Sequence, residues 1–318
     1  MYFIGVDLGG TKIASALVNQ KGEIITENVT ETEASKGADY VLNKIKNEIK
    51  KLYDAAGSVP IGGIGLGIPG LMDIEKGISI FAGNLAWQNV PVIEEFKKDF
   101  HTPIFMDNDV RVATLAEKYF GAGKDVNTLI CVTLGTGIGS GIILDGKIYR
   151  GYSYSAGEIG HTTVIKDGLY CNCGNRGCLE MYASAPGIVR QIKRHIMEGH
   201  YTIMTKMTDG NVDKITTKTL SAAFDEGDGL ARLVMENTAE LLGIGLSTYA
   251  QIINPEMIVI GGGVSLLGDR LFIPLRKYFN EHLMQALRDK IPIVPAKLKD
   301  KAGAVGAATL AMKNLGIF

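Results

Sequence analysis

Apolar and polar residues alternate along the first part of the chain in a pattern that predicts strands. Residues 2–8, 12–19 and 24–30 are rich in apolar and β-branched side chains, and Gly-containing turns separate them. This pattern predicts three strands in series. Apolar side chains then recur every three or four residues over residues 38–56, opposite a row of lysines, which predicts an amphipathic helix.

Strand and helix patterns continue to alternate along the rest of the chain, which predicts an α/β fold. Further strands are predicted at residues 61–68, 103–107, 257–260 and 291–294, and helices at residues 90–100, 109–120, 184–198, 229–251, 270–287 and 303–313. Pro292 removes a backbone donor from the last of these strands, so that strand is predicted at a sheet edge. The polar residues 199–218 predict an irregular surface segment.

The strand–turn–strand segment from Val6 to Ile24 has a counterpart from Val132 to Ile148. Both contain a strand, a Gly/Thr turn, a second apolar strand and a Gly turn followed by isoleucine. Such a repeat predicts two similar α/β domains facing each other. A chance likeness between two Gly-rich hairpins is the alternative interpretation.

The size and charge of the chain narrow the class of protein. Its 318 residues are enough for two well-buried domains, and 46 % of them are hydrophobic. The 33 basic and 34 acidic side chains give a net charge of −1, which offers no electrostatic footprint for nucleic acid. No apolar run approaches the length that spans a bilayer. Residues 1–6 lead directly into a strand pattern instead of a signal peptide, so we expect a cytoplasmic protein.

A cluster of cysteines indicates a metal site. Three of the four cysteines fall within eight residues, and a histidine precedes them; the set is His161, Cys171, Cys173 and Cys178. Three thiolates and one imidazole form the closed tetrahedral shell of structural Zn²⁺. Gly174 and Gly177 would let the loop fold tightly around the ion. In a reducing cytosol such a cluster is more often metal-binding than disulfide-bonded.

Three Gly-rich turns follow predicted strands and would present backbone N–H groups to an anion. They contain Gly9, Gly10, Thr11 and Lys12; Gly135, Thr136 and Gly137; and Gly262 and Gly263. The third turn has no side chains that would keep a nucleoside away from the backbone. Asp7, at the end of the first strand, would bind Mg²⁺ directly or through water. Taken singly, each turn is also consistent with an ordinary turn.

Asn108 and Asp109 lie where a predicted strand ends and a helix begins. Asp109 suits two roles there. It would cap the helix N-terminus, or it would act as a general base that takes a proton from a substrate hydroxyl. Phosphoryl transfer needs little else from a protein beyond alignment and charge neutralisation.

Other polar side chains suit a sugar. Asn84 can both donate and accept hydrogen bonds, and Trp87 close to it would be a core residue or a sugar platform. Glu158 and Glu180 flank the zinc cluster, either as solvated carboxylates or as partners for hydroxyl groups. If His161 binds zinc through one ring nitrogen, its other N–H is free to orient a neighbour or a ligand.

Together these motifs resemble the ROK family of bacterial repressors, open reading frames and sugar kinases, over essentially the whole chain. The matching motifs are Asp7–Lys12, Gly67–Gly70, Asn84–Trp87, Asn108–Asp109 with Glu117, Leu134–Gly139, Gly157–His161, Cys171–Glu180 and Ile260–Gly263. The resemblance implies an actin-like ATPase fold, with two ribonuclease H-like domains around a central cleft and a last helix that packs back on the first domain. The implied domains are residues 1–120 with 301–318, and residues 121–300 with the zinc-binding segment 161–178.

The resemblance also implies roles for individual residues. Asp109 matches the catalytic base, and ATP would lie across the two Gly-rich hairpins with its nucleoside near Gly262 and Gly263. The matching sugar positions are Gly70, Asn84, Asn108, Glu158, His161 and Glu180, and the matching zinc ligands are His161, Cys171, Cys173 and Cys178. One departure is Arg111, which stands two residues after the predicted base where the family often has asparagine. It would pair with a nearby acid, and it leaves the sugar preference open.

We therefore expect an ATP-dependent hexose kinase that phosphorylates the 6-hydroxyl of a sugar, glucose first. Kinases for N-acetylmannosamine, fructose or another hexose are alternatives within the family. A sugar-sensing repressor is the alternative from another class, but such family members carry a helix-turn-helix ahead of the first Gly-rich turn, whereas Asp7 here is the seventh residue. The expected partners are ATP, a small sugar and further copies of the chain in a dimer or dimer of dimers, with neither nucleic acid nor membrane.

Overall fold

The computed structural model describes residues 1–318 as an α/β protein with three β-sheets. Its strands are β1 (Tyr2–Leu8), β2 (Lys12–Asn19), β3 (Ile24–Glu31), β4 (Ile61–Ile68), β5 (Leu71–Asp73), β6 (Ile78–Ala82), β7 (Trp87–Val90), β8 (Ile104–Asn108), β9 (Leu129–Leu134), β10 (Ile138–Leu144), β11 (Lys147–Tyr149), β12 (Met257–Gly261) and β13 (Ile293–Pro295). Its α-helices are α1 (Ala38–Ala56), α2 (Val92–Lys97), α3 (Asp109–Phe120), α4 (Glu180–Ala183), α5 (Ala185–Met197), α6 (Met204–Met207), α7 (Thr217–Asp225), α8 (Gly229–Ile253), α9 (Asp269–His282) and α10 (Ala302–Asn314). No helix combines the length and the apolar character needed to cross a membrane.

Most predicted elements are confirmed, several of them with the predicted bounds, as for β1, β2, α1, β4 and α3. Two helices are shorter than predicted. Helix α2 ends before Asp99, whose carboxylate pairs with Lys46 of α1 at 2.7 Å, and α9 ends where the backbone of Leu283 becomes extended and buries its side chain.

The polar segment at residues 199–218 is not irregular throughout, contrary to the prediction. It contains α6 and the start of α7, and Thr202 and Met204 are buried. The carboxylate of Asp228 accepts hydrogen bonds from the backbone of Ile203 at 2.8 Å and from the hydroxyl of Thr202 at 3.1 Å. These bonds hold the segment against the protein although its composition is polar.

The two larger sheets repeat one strand order. The first runs β3-β2-β1-β4-β8 and the second runs β11-β10-β9-β12-β13, so each has the order 3-2-1-4-5 along its own series. In both sheets the first strand pairs parallel with the fourth, and the fourth pairs parallel with the fifth. This shared order supports the internal repeat predicted from the two Gly-rich hairpins. Strand β13 lies at an edge, as predicted, although it begins after Pro292.

The third sheet, β5-β6-β7, was not predicted. Its strands contain only three to five residues each, and the chain passes through left-handed backbone conformations at Ala86 and Asn89, which interrupt the strand pattern. Trp87, at the start of β7, is 1 % exposed, so the core interpretation of this residue is confirmed.

The chain divides into two compact units. Unit 1 comprises Met1–Asn127, Gly141–Ala156 and Ala296–Phe318, and unit 2 comprises Thr128–Ser140 and Gly157–Pro295. In unit 1, the apolar face of α1 packs into a core with side chains of β1 and β4. In unit 2, α8 forms the centre of a core with β9, β12 and α9.

Helix α10 packs on the first sheet with almost no side chains between the two backbones. A Cβ atom on Gly5 or Gly65 would overlap the backbone carbonyls of Ala304 or Ala307, and one on Gly306 would overlap the backbone of α3. Glycine at these positions is therefore a packing requirement. The predicted packing of the last helix on the first domain is confirmed within unit 1.

Candidate active site and metal centre

In unit 1, the predicted catalytic and phosphate-binding residues meet at the carboxyl ends of parallel strands. β1, β4 and β8 are parallel neighbours, so Asp7, Gly67 and Asp109 lie at the same edge of the sheet. Gly67 lies between the two acids, since a Cβ atom placed on it would be 3.6 Å from Asp7 Oδ1 and 3.5 Å from Asp109 Cα. Open α/β sheets bind ligands at this edge.

The environment of Asp7 favours a bound cation. Burial is the main cause and the charge of Asp109 the second; against the opposing effect of Lys12, they raise its pKa to about 7. A carboxylate that is costly to ionise beside another carboxylate is a fitting ligand for a divalent cation, which would relieve the repulsion. The residues present therefore fit Mg²⁺.

No sequence pattern predicted that Gly303 shapes this site. Gly303 lies in the first turn of α10, and a Cβ atom on it would overlap the carboxylate of Asp7. The Asp7 side chain therefore rests against the N-terminal turn of a helix. The partial positive charge of that helix end favours an anion.

The capping role considered for Asp109 belongs to Asn108. The side-chain oxygen of Asn108 accepts hydrogen bonds from the backbone of Val110 at 3.0 Å and of Arg111 at 3.3 Å, so Asn108 is the N-cap of α3. Its amide nitrogen donates to the carbonyl of Gly70 at 3.4 Å. Asp109 is the first residue of the helix and is half-buried.

The first Gly-rich hairpin is closed by the backbone of Gly9, which donates to the carbonyl of Lys12 at 2.9 Å. The N–H group of Gly9 is therefore used within the turn and is not available to an anion. The side chains of Thr11 and Lys12 are exposed. Asn84 lies beside this hairpin, because a Cβ atom on Gly10 would be 3.3 Å from its amide nitrogen. Asn84 is also exposed and so available to a ligand.

Behind Asn108 and Asp109 lies a buried ionic network. Asp107 is fully buried and accepts from Arg111 Nε at 2.6 Å and from Arg150 Nη2 at 2.7 Å. Arg111 also donates to the carbonyl of Tyr154 at 2.9 Å. The expectation that Arg111 pairs with a nearby acid is confirmed, and the acid is the residue just before the N-cap of α3.

In unit 2, the second Gly-rich hairpin is closed in the same manner, by the backbone of Gly135 donating to the carbonyl of Gly137 at 2.9 Å. Glu180 lies directly beneath it and accepts from the backbone of Ile138 at 2.8 Å. The solvated interpretation of Glu180 is therefore wrong, because the carboxylate stabilises the hairpin. Thr136 at the tip is exposed.

The third Gly-rich turn packs against the end of β9. Gly262 has a φ of +82° and a Cβ atom on it would overlap the backbone carbonyl of Leu134, so only glycine fits. A Cβ atom on Gly263 would meet nothing within 4 Å. Open space therefore adjoins the backbone where the nucleoside was predicted.

The four predicted zinc ligands converge in unit 2. The ligand atoms of His161, Cys171, Cys173 and Cys178 all lie within 4.8 Å of one another. Cys173 Sγ and Cys178 Sγ are 3.6 Å apart, as are Cys171 Sγ and His161 Nδ1. Thiolates on one tetrahedral Zn²⁺ are separated by about 3.8 Å, given Zn–S bonds of about 2.3 Å, whereas a disulfide requires about 2.05 Å. The residues present therefore fit a zinc ion.

The loop around this cluster depends on two glycines, as predicted. Gly174 has a φ of +96° and Gly177 a φ of +71°, and a Cβ atom on Gly177 would overlap the carbonyl of Ile165. Burial raises the pKa of Cys178 to about 12, with the neighbouring thiols contributing. A cation is thus needed to hold this sulfur as a thiolate.

His161 presents its two ring nitrogens to different neighbours. Nδ1 faces the thiols, and Nε2 lies 4.0 Å from the carboxylate of Glu158, whose side chain is 54 % exposed. With Nδ1 on a metal, the Nε2–H group would point toward Glu158. These two polar groups are thus available together for hydroxyl groups of a ligand.

Comparison with known proteins shows which family the chain belongs to. The family model described as "ROK family" matches residues 3–314. This chain belongs to the ROK family. The chain is 35 % identical over 314 residues to a glucokinase of Thermotoga maritima, with 98 % of each chain covered.

Two further relatives of this ROK protein differ in their described function. It is 35 % identical to a xylose repressor of Caldicellulosiruptor bescii, covering 98 % of this chain and 78 % of the repressor. It is 34 % identical to a solved ROK family glucokinase from Streptomyces griseus in complex with glucose and AMPPNP, with a TM-score of 0.84, covering 98 % of this chain and 100 % of the other. Both kinases and regulators are therefore similar to it over nearly its whole length.

Proposed function

We propose that this ROK protein is an ATP-dependent hexose kinase of the actin-like ATPase class that transfers the γ-phosphate to the 6-hydroxyl of glucose. The proposal rests on the placement of Asp109 beside Asp7 and the first Gly-rich hairpin, in a chain whose full-length relatives include glucokinases. One of these, from Streptomyces griseus, was solved with glucose and an ATP analogue.

In this proposal Asp109 accepts the proton of the sugar hydroxyl as that oxygen attacks the γ-phosphorus and the bond to ADP breaks. Asp7 would hold Mg²⁺, which supplies charge neutralisation on the phosphates when bound. Thr11, Lys12 and Thr136 are exposed on the two hairpins, where they would contact phosphate oxygens. The open backbone at Gly263 would adjoin the nucleoside.

For the sugar we propose hydrogen bonds from five side chains and contact with Gly70. The side chains are Asn84, Asn108, Glu158, His161 and Glu180. Asn84 and Glu158 are exposed, whereas Asn108 and Glu180 already hold backbone groups and would present only their remaining lone pairs and N–H group. Zinc at the cysteine cluster would act structurally, by fixing the ring of His161.

The similarity to a xylose repressor raises a sugar-sensing regulator as the second candidate. The presence of Asp7, Lys12 and Asp109 favours the kinase, because a sensor needs no base and no phosphate-binding charge. A panel of hexoses and acylated hexosamines, assayed by sugar-dependent ADP release, tests the proposal. Turnover with glucose at the highest kcat/KM is expected. Release of ADP only with N-acetylmannosamine or fructose would correct the sugar, and no release with any sugar would overturn the kinase.

A further inference from the structure

The end of α5 gathers a second set of metal-binding side chains, separate from the cysteine cluster. His195 lies in the last turn of the helix, Glu198 is its C-cap, and His200 follows after Gly199. The ligand atoms of the two histidines and the glutamate lie within 4.8 Å of one another. Neither the ROK resemblance nor the proposed kinase reaction uses these residues.

The backbone prearranges this cluster. Gly199 has a φ of +91°, a conformation that glycine adopts readily, and it turns the chain back toward the helix. The backbone N–H of His200 then donates to the carbonyl of His195 at 3.0 Å. As a result the two imidazole rings lie with centroids 5.0 Å apart.

One ring nitrogen in the cluster is buried without a hydrogen bond. His195 Nδ1 lies 3.2 Å from Glu198 Oε2, yet the two atoms form no hydrogen bond, and no other partner is present. Two ligands on a tetrahedral Zn²⁺ are about 3.3 Å apart, given metal–ligand bonds of about 2.0–2.1 Å. The pair is therefore spaced as neighbouring ligands of one ion.

The local charges are compatible with a cation. The carbonyl end of a helix attracts positive charge. Arg194 donates to Glu198 Oε1 at 2.7 Å and leaves Oε2 free for another partner. The charge of Arg194 also weakens the binding of a cation, so this site would bind less tightly than the cysteine cluster.

We propose that His195, Glu198 and His200 form a binding site for one divalent transition-metal ion, with Zn²⁺ the best match to two imidazoles and a carboxylate. Three protein ligands leave a position for water. The side chain of His195 also lines a cavity of about 370 Å³. The bound ion ties the end of α5 to the segment that follows it.

Co²⁺ titration of the dialysed protein, with its cysteine site still occupied, tests the proposal. Cobalt bound by nitrogen and oxygen ligands gives a visible d–d spectrum without the intense thiolate charge-transfer band that a cysteine site produces. The expected result is saturation at about one Co²⁺ per chain, with no thiolate band. A thiolate band as the only signal, or no saturable spectrum, would overturn the proposal.

Single substitutions in and near the proposed metal site test the ligand assignment. His195→Ala and His200→Ala should each weaken Co²⁺ binding at least about tenfold, because two remaining ligands hold the ion poorly. His282→Ala, an exposed histidine at the end of α9, is the matched control and should bind as the unchanged protein does. Gly199→Ala keeps all three ligands but strains the turn, so it should weaken binding as well. Equal affinity in all four variants would refute the site.

Discussion

Arg111 donates from Nε to Oδ1 of Asp107, which stands four residues earlier at the end of β8, at 2.6 Å, and their side chains are 4 % and 0 % exposed. This pair lies directly behind the N-cap of α3, since Asp107 precedes Asn108 and also accepts a hydrogen bond from its backbone at 2.8 Å. Arg150 engages the other carboxylate oxygen of Asp107. The position of the predicted base thus depends on a buried charge network that joins β8, α3 and the segment after β11.

Replacing Arg111 should destabilise the protein strongly. Arg111→Ala leaves the buried Asp107 with one cationic partner, and breaking a buried pair costs about 3–5 kcal/mol. Arg150 remains, so the lower part of this range is expected. Chemical denaturation measures the effect, with Arg232→Ala, an exposed arginine on α8, as the control. Equal unfolding free energies for the two variants would show that the network contributes little.

Asp109→Asn should remove most turnover while the fold and sugar binding persist. The substitution keeps the size of the side chain but not its ability to accept a proton, and such a base contributes about 10²–10⁴-fold. Steady-state kinetics and sugar titration separate the two effects. Asp125→Asn, at an exposed acid of the same unit, should leave both unchanged. An Asp109→Asn variant with near-normal kcat would remove Asp109 from its proposed role.

Gly303→Ala should weaken the binding of MgATP. Alanine normally favours a helix over glycine by about 1 kcal/mol, but here the added methyl group overlaps the carboxylate of Asp7 and displaces it. KM for MgATP is expected to rise more than KM for the sugar, with the circular dichroism spectrum unchanged. Gly229→Ala, at the start of α8 with open space around it, is the control. Unaltered nucleotide kinetics in Gly303→Ala would contradict the placement of Asp7.

The raised pKa of Asp7 predicts a pH-dependent stability in magnesium-free buffer without nucleotide. Its pKa lies at about 7 in the folded protein and at 3.8 ordinarily, so the folded state binds the extra proton between these values. Stability relative to Asp7→Asn is therefore highest below pH 3.8, falls as pH rises toward 7, and is level above it. The total change is at most about 4 kcal/mol. Denaturation of both proteins at several pH values measures it, and a constant difference would refute the raised pKa.

The cysteine cluster predicts about one tightly held zinc ion per chain after dialysis, because four ligands form one closed shell. Cys171→Ser should lose this ion and unfold at a lower temperature. Cys131→Val removes a buried thiol outside the cluster and should keep the ion. Elemental analysis and thermal unfolding measure both. Full zinc content in Cys171→Ser would contradict the proposed ligand set.

Sequence patterns predicted the long, periodic elements well because burial of one face determines them. The apolar stripe that predicted α1 recurs at helical spacing, and all of it but the half-buried Tyr53 lies in the core; its residues are Val41, Ile45, Ile49, Leu52 and Tyr53. The short strands β5–β7 were missed, since few of their residues alternate and two left-handed residues interrupt them. Local patterns cannot reveal such a sheet, whose pairing is decided by tertiary contacts.

Within the candidate site, the sequence predicted which residues take part more readily than which contacts each of them makes. The zinc ligands form a compact sequence motif, and their convergence is confirmed. Asn108 and Asp109 are adjacent and both suit an N-cap, so only the backbone geometry could decide between them. Gly303 and Glu180 act on residues far away in sequence, at Asp7 and Ile138. No local sequence pattern predicts such contacts.

The close packing of α10 against glycines of the first sheet has a consequence for synthesis of the chain. The groove that receives α10 is formed by β1, β4 and α3, all translated before residue 121. Helix α10 is made about 180 residues later than α3, because the segment between them contains all of unit 2. During translation the face of the first sheet that packs against α10 therefore stays uncovered until this helix leaves the ribosome. Until then its apolar side chains are exposed to chaperones or to aggregation.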